Sequence, residues 1–394
     1  MKISKRFANV GDSSTLKITA LAKSMKNKNI DIAILAAGEP DFDTPNEIKE
    51  AAIKAIKEGF TGYTSVRGIS ELLELVCEKF KRDNNIEYKN ENIIVSTGAK
   101  QSIYNVLQAL CDEDSEVIIL APFWVSYIEM IKMTGAMPVI IDTSLDNFKL
   151  NVQRIEEKIN SKTRMIIINS PNNPTGMVYT ENELLEFANM VVKHNIYCIS
   201  DEIYEKIIYT PHKHYSIASF NENIKNLTFT VNGLSKTYAM TGWRIGFLGG
   251  EKNLIEKTLM VQTHSTSCTS SISQKAAVAA LKADASVTEK MIAEFTKRRE
   301  YVINFMKKIN YVDYIEPMGA FYLFMDFRKI IEKNKNTFAD SEALCTKLLE
   351  DYNVAVIPGG AFGAEGYIRI SYAASHEEIK KGLTRINDFI KKHI

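Results

Sequence analysis

The chain of 394 residues sets Lys+Arg 49 against Asp+Glu 48, a formal net charge of +1, with 45% hydrophobic, 25% charged and 9% aromatic residues. Such a composition excludes a disordered, collagenous or disulfide-scaffold class, and at roughly 100–200 residues per domain the length predicts two or three domains. A balance so close to zero supplies no global field for a polyanion, so no nucleic acid and no membrane is expected as partner, and electrostatic work falls to a few local charges.

The basic start MKISKRFANV leads into no apolar run with a cleavage site, and no run of about 18 apolar residues follows. Cys77, Cys111, Cys198, Cys268 and Cys345 are scattered, with no C-x-x-C pair, and read as core thiols of a reducing compartment, the cytoplasm. The segment STLKITALAKSMK is polar and partly helical, expected to pack on the C-terminal unit. Over residues 92–250, short apolar runs (NIIVS, EVIIL, MPVIIDT, RMIIINS, YCIS, LTFTV, RIGFLGG) alternate with helical patterns such as 101–110 and 180–194. The second helix opens with Thr180 and carries Glu183 three positions on, a capping box. Continuous apolar strands alternating with helices predict an α/β domain whose mostly parallel sheet is covered on both faces. From Ser286 onward a long charged helix precedes the strand patterns GAFYLFMD, VAVIPG and YIRISYA and a terminal amphipathic helix, which reads as a smaller α+β domain. The expected division is therefore a large domain over 45–285 and a small one built from 1–44 and 286–394. Lys297, Arg298, Arg299 and Glu300 read as a solvated face, and His212 and His214 as an exposed turn with too few ligands for a metal.

In open α/β sheets ligands bind at the carboxyl ends of the strands, so the residues after each apolar run carry the chemistry. NIIVS is followed by Thr97-Gly98-Ala99-Lys100-Gln101, a Gly turn into a helix whose N-terminus suits a phosphate; such a turn is also ordinary structure. RMIIINS is followed by Pro171-Asn172-Asn173-Pro174-Thr175-Gly176, YCIS by Asp201-Glu202-Ile203-Tyr204, and LTFTV by Asn232-Gly233-Leu234-Ser235-Lys236. Neither GxGxxG after the first strand nor GxxxxGK[ST] around Lys236 occurs, which removes the main support for a nucleotide. A lone lysine at position 236 would read as a snorkelling surface residue. Its company argues otherwise. Arg244 follows in MTGWRIG and Asp201 ends another strand, so an amine for a Schiff base, a carboxylate for a pyridinium and a cation for a phosphate stand on one edge.

The segments AGEPDFDTP, NSPNNPTG, SDEIYE and SKTYAMTGWRIG, in this order along the chain, resemble the fold-type I, class I pyridoxal-phosphate aminotransferases, and the match extends over essentially the whole chain. GYTSVRGI, STGAKQ, APFWVSY and RISYA are most similar to the bacterial aspartate aminotransferase branch. The resemblance implies a large domain with a mostly parallel seven-stranded sheet, pyridoxal 5'-phosphate as cofactor, and a ping-pong exchange between an amino acid and a 2-oxo acid. Lys236 would hold the cofactor as a Schiff base and move the substrate α-proton. Asp201 would pair with the ring nitrogen, Tyr204 and Asn173 with the phenolic oxygen, and Trp124 would stack on the ring. Gly98, Ala99, Lys100, Ser235 and Arg244 would surround the phosphate, and Tyr63 would reach the phosphate of the neighbouring subunit, making a homodimer part of the site. Arg369 would bind the substrate α-carboxylate, with a backbone contact from Gly38. Lys100, Ser13 and Thr15 match the positions that serve an acidic side chain, so aspartate with 2-oxoglutarate is the expected pair. Aromatic, kynurenine, methionine or prephenate transamination on the same fold, a carbon–sulfur lyase and a non-catalytic regulator are the alternatives. Gly233 departs from the serine that many relatives place three positions before the lysine, which puts one phosphate contact in doubt.

Overall fold

The computed structural model describes residues 4–7, 10–11 and 14–394. In chain order the strands are β1 (Ala33–Ile34), β2 (Ile93–Ser96), β3 (Glu116–Ala121), β4 (Met137–Asp142), β5 (Thr163–Asn169), β6 (Tyr197–Asp201), β7 (Thr228–Gly233), β8 (Gly246–Gly249), β9 (Asp313–Ile315), β10 (Tyr322–Asp326), β11 (Val354–Ala355), β12 (Ile357–Pro358) and β13 (Tyr367–Ser371). A seven-stranded sheet runs β2-β8-β7-β6-β5-β3-β4, with β8 antiparallel to both neighbours and every other pairing parallel.

Side-chain alternation explains the continuous apolar text of these strands. Val117, Ile119, Ile167 and Ile199 face one core, while Ile118, Ile166, Ile168 and Cys198 face the other, so each strand feeds two helical layers. Helix Glu181–His194 lies on the second of these cores, and its capping box forms: Glu183 N donates to Thr180 Oγ1 at 3.3 Å and Thr180 N to Glu183 Oε2 at 2.8 Å. Helix Ala99–Leu110 starts earlier than its periodicity predicts, because Gly98 at φ 86° turns the chain directly into it.

A four-stranded antiparallel sheet, β12-β13-β10-β9, is formed by later residues, and β1 pairs in parallel with β11. That last pairing brings the segment after Ile34 beside β13: Ser371 N donates to Leu35 O at 2.8 Å. All five cysteines are free. Among the described residues no helix is long and apolar enough to cross a membrane.

Two surface expectations are corrected. Arg298, on helix Ser286–Met306, is buried rather than solvated, donating to Asp41 Oδ1 at 2.7 Å and Glu294 Oε1 at 3.0 Å. Asp41 lies 257 positions away in the chain, so helix-face periodicity had no means of revealing it. The His214 ring is likewise tucked in, with Nε2 3.0 Å from Glu202 Oε2.

Candidate active site

The carboxyl ends of β5, β6 and β7 open into a cavity of about 520 Å³. Its wall includes Gly38, Ala99, Lys100, Trp124, Asn173, Asp201, Tyr204, Ser235, Lys236, Arg244 and Arg369. A second, more open depression of about 610 Å³ shares Lys100 and Arg244 but not Asp201, Lys236 or Arg369.

Asp201, the last residue of β6, is buried; its Oδ2 accepts the Tyr127 hydroxyl at 2.6 Å and its Oδ1 the Ile203 N–H at 3.3 Å. Burial pushes its carboxyl up to about 6, although the Tyr127 bond pulls the other way. Lys236 follows β7 through the short Leu234-Ser235 link, and its Nζ donates to Gly38 O at 2.6 Å. Loss of water around the amine brings its pKa down to about 8, with the Glu39 carboxylate opposing the shift. An amine in that range reaches its nucleophilic form near neutral pH.

Arg369 lies on β13 with 3% exposure. Its Nη1 donates to Asn173 Oδ1 at 2.9 Å and Nη2 to Ala36 O at 2.8 Å, while Nε has no partner. The guanidinium stands 4.4 Å from the Tyr322 ring centre and 5.1 Å from that of Phe362. No carboxylate among the described residues is paired with it, and burial lowers its pKa. A buried cation with an unused N–H and no counterion is built for an anion from outside. Asn173 Oδ1 serves Arg369, which leaves the amide nitrogen as the donor end for another acceptor. The Tyr204 hydroxyl is buried and 2.7 Å from the Tyr322 hydroxyl, and burial raises its pKa well above the usual phenol range.

Around the helix start, Gly98 is required by its backbone, at φ 86°, and it also leaves space for the end of the Arg244 side chain. Arg244, itself at φ 59°, donates to Thr241 O at 2.9 Å and so projects across the first turn. Gly233 has a similar cause, since a Cβ would meet Ile245 O at 2.9 Å. Lys100 Nζ sits 4.9 Å from the Trp124 ring centre, its pKa lowered by burial and then by the Arg244 charge. Trp124 packs edge-on against Tyr127 at 5.4 Å.

Not every expected residue joins this cavity. Tyr63 is 95% exposed and outside its wall. Ser13 lies outside the described residues, and Thr15 belongs to helix Ser14–Asn27 with its side chain undescribed. Conversely, Tyr322 and Phe362 line the cavity and Tyr127 bonds Asp201 from outside its wall, none of them among the residues expected from the sequence. Tyr127 had a weak signal, three positions after Trp124 at the start of a helix.

Behind the same turn, Glu202, Glu205 and His214 bring ligand atoms within 4.8 Å of one another. A metal is not needed there. Lys79 is ion-paired with Glu205, and Asn84 Nδ2 donates to Glu202 Oε2 at 3.0 Å and to Glu205 Oε2 at 2.7 Å, so the protein's own donors already fill the position.

The aminotransferase class I and II family matches residues 30–386 of this chain. The aspartate aminotransferase of Bacillus sp. (strain YM-2) is 43% identical over 390 residues, covering 99% of both chains. The probable aspartate/prephenate aminotransferase of Rickettsia conorii is 44% identical over 393 residues, 98% of each. Among solved structures, the aspartate aminotransferase from Thermus thermophilus with maleate superposes at a TM-score of 0.92, with 37% identity over 98% of this chain and 99% of that one.

Proposed function

The chain belongs to the class I and II aminotransferases, and from that premise we propose that it transaminates L-aspartate with 2-oxoglutarate, giving oxaloacetate and L-glutamate, with pyridoxal 5'-phosphate as cofactor. The observation that carries this reading is Arg369: a buried, unpaired guanidinium facing the same cavity as a lysine whose pKa is lowered to about 8.

The donor set fits the cofactor. A helix N-terminus at Ala99 beside Arg244 and Ser235 suits a phosphate, with Gly98 allowing the close approach. Asp201 suits a ring N–H, and Tyr204 with Asn173 suits a phenolic oxygen. When bound, pyridoxal phosphate supplies the electron-accepting ring and the carbonyl that takes the amino group. Lys236 would hold the cofactor through its Nζ, and the same amine would carry the proton to and from the substrate α-carbon. Asp201 would hold the ring nitrogen in its protonated form. Arg369 would bind the α-carboxylate, and Trp124 would stack on the ring. Lys100 would be the second cation, for the aspartate side chain, with the hydroxyls of Ser13 and Thr15 beside it and Gly38 as the backbone contact, as the resemblance implies.

The same reading makes the enzyme a cytoplasmic homodimer with shared sites. Support comes from Tyr63, a large phenol left 95% exposed and free to reach a neighbouring subunit's phosphate, and from free cysteines throughout. A division into 45–285 against 1–44 with 286–394 is supported by the β1–β11 pairing. Amination of prephenate is a second activity, suggested by the name of the Rickettsia conorii relative.

The test is single-turnover decay of the bound-cofactor absorption with a panel of amino acids. Aspartate and glutamate should react fastest, and a much faster reaction with phenylalanine or methionine overturns the specificity. Lys100→Ala should raise KM for aspartate and spare alanine; an equal effect on both assigns Lys100 to the phosphate instead.

A further inference from the structure

Tyr322 stands between the two working ends of the cavity. It opens β10, whose register sets Phe324 opposite Arg369 and Tyr322 opposite Ser371, so the Tyr322 ring lies along the arginine rather than across from it. The ring centre is 4.4 Å from the Arg369 guanidinium, and the hydroxyl is 2.7 Å from the Tyr204 hydroxyl. A Cβ built at Gly38 would stand 3.4 Å from that same hydroxyl, in ordinary contact, so the N-terminal segment closes over it.

Each phenol owns one proton. In a Tyr–Tyr pair one hydroxyl donates, and the proton of the accepting one is left for a third group. With Tyr322 as donor, Tyr204 keeps its proton for the cavity, where the Tyr204 ring already lies 6.0 Å from Lys236 Nζ. With the direction reversed, Tyr204 has nothing to give the cofactor. Arg369 selects the first arrangement, because a cation over the Tyr322 ring favours release of its proton.

We infer that Tyr322 is a positioning residue that couples substrate binding to the cofactor: it donates to Tyr204 Oη, thereby committing the Tyr204 proton to the cofactor's phenolic oxygen, with a strength set by whether an anion compensates the Arg369 cation. This rests on the cofactor reading above. Hydrogen bonds in series polarise one another, so the Tyr322 bond strengthens the one Tyr204 makes. A carboxylate that neutralises Arg369 weakens both. The other charged groups facing Tyr204 and Lys236 are Asp201, Glu39 and Arg244, and none of them contacts the Tyr322 hydroxyl through a hydrogen bond among the described residues.

The experiment is a spectrophotometric pH titration of the bound cofactor in the holoenzyme, with and without maleate, a dicarboxylate lacking an amino group. Tyr322→Phe keeps the ring under Arg369 and removes only the proton. It should move the midpoint up by about 0.2–0.5 pH unit, the polarising increment that the Tyr322 bond lends to the one Tyr204 makes, and shrink the displacement caused by maleate. On a Tyr204→Phe background the same change should add nothing. A 3-fluorotyrosine at position 322, a better donor of nearly the same shape, should move the midpoint down, which keeps the inference testable should the Phe variant fold poorly. A wild-type midpoint and maleate response in Tyr322→Phe overturn it, as does a full shift on the Tyr204→Phe background. Survival of the pH-dependent band in Lys236→Ala would instead overturn the cofactor reading.

Discussion

Behind residues 201–205, Glu202 accepts from Ser200, Ser216, Asn84 and His214, and Glu205 accepts from Asn84 and Asn232 while paired with Lys79. In front of the same five-residue stretch, Asp201 has two donors, Lys236 leans on a backbone carbonyl, and Arg369 has an N–H with no partner. Asp201 and Arg369 in front are buried like Glu202 and Glu205 behind, and Lys236 is half-buried at the cavity wall, yet the titration of the two regions differs in sign. Burial pushes Glu205 up, but the charges of Lys79 and His214 outweigh it and the carboxyl ends below its ordinary value. Asp201, Lys236 and Arg369 all move toward their neutral forms because burial wins there. Unequal satisfaction of the buried charges separates a scaffold from a site: the rear groups complete one another, and the front groups wait for a ligand.

The largest expected break is at Lys236. Lys236→Ala should abolish turnover and the lysine-dependent absorption of the cofactor, while thermal unfolding of the cofactor-free protein stays cooperative. Retention of both signals would sink the assignment of the front region. The rear region should fail in the opposite manner. Lys79→Met leaves Glu205 buried without its cation and should lower stability by about 3–5 kcal/mol, measured by urea unfolding, with KM for aspartate unchanged in the folded fraction. Arg369→Gln inverts that pattern. It removes the anion anchor and should raise KM for aspartate by about 10²–10³-fold, but it breaks no ion pair among the described residues, so its loss of stability should be far smaller than that of Lys79→Met. If Arg369→Gln unfolds the protein and Lys79→Met does not, the distinction between the two regions is wrong.

Half of this contrast is visible in the text of the chain. Asp201, Tyr204, Asn173, Ser235 and Lys236 each follow an apolar run, and period-two alternation turns Arg369 inward, so strand rules alone bring them to one edge. The satisfying partners are not legible. Tyr322 is one aromatic within GAFYLF, and its bond to Tyr204 spans 118 positions. His214 and Arg298 read as surface residues because the carboxylates that draw them in, Glu202 and Asp41, are joined to them only by the fold. Local patterning shows which residues point inward. Whether an inward charge has met its counterion depends on long-range contacts, and that is the property that divides site from scaffold here.

The smallest effect tests the front region by pH. Asp201 has its folded pKa raised to about 6 from a model-peptide value of 3.8, the reverse of a paired carboxylate. Its unfolded form therefore loses the proton first, and the cofactor-free protein should lose stability as pH rises from about 4 to 6, by about 2–3 kcal/mol, with no further loss from this group above that window. Asp201→Asn should flatten this stretch of the curve. Adding pyridoxal phosphate to the wild type should flatten it as well, because a protonated ring nitrogen beside the carboxylate favours its ionised form and pulls the folded pKa back down. Measuring the melting temperature against pH for the three samples distinguishes a carboxylate awaiting a cation from one that is merely buried: the variant alone flattens the curve in the second case, the variant and the cofactor both do in the first.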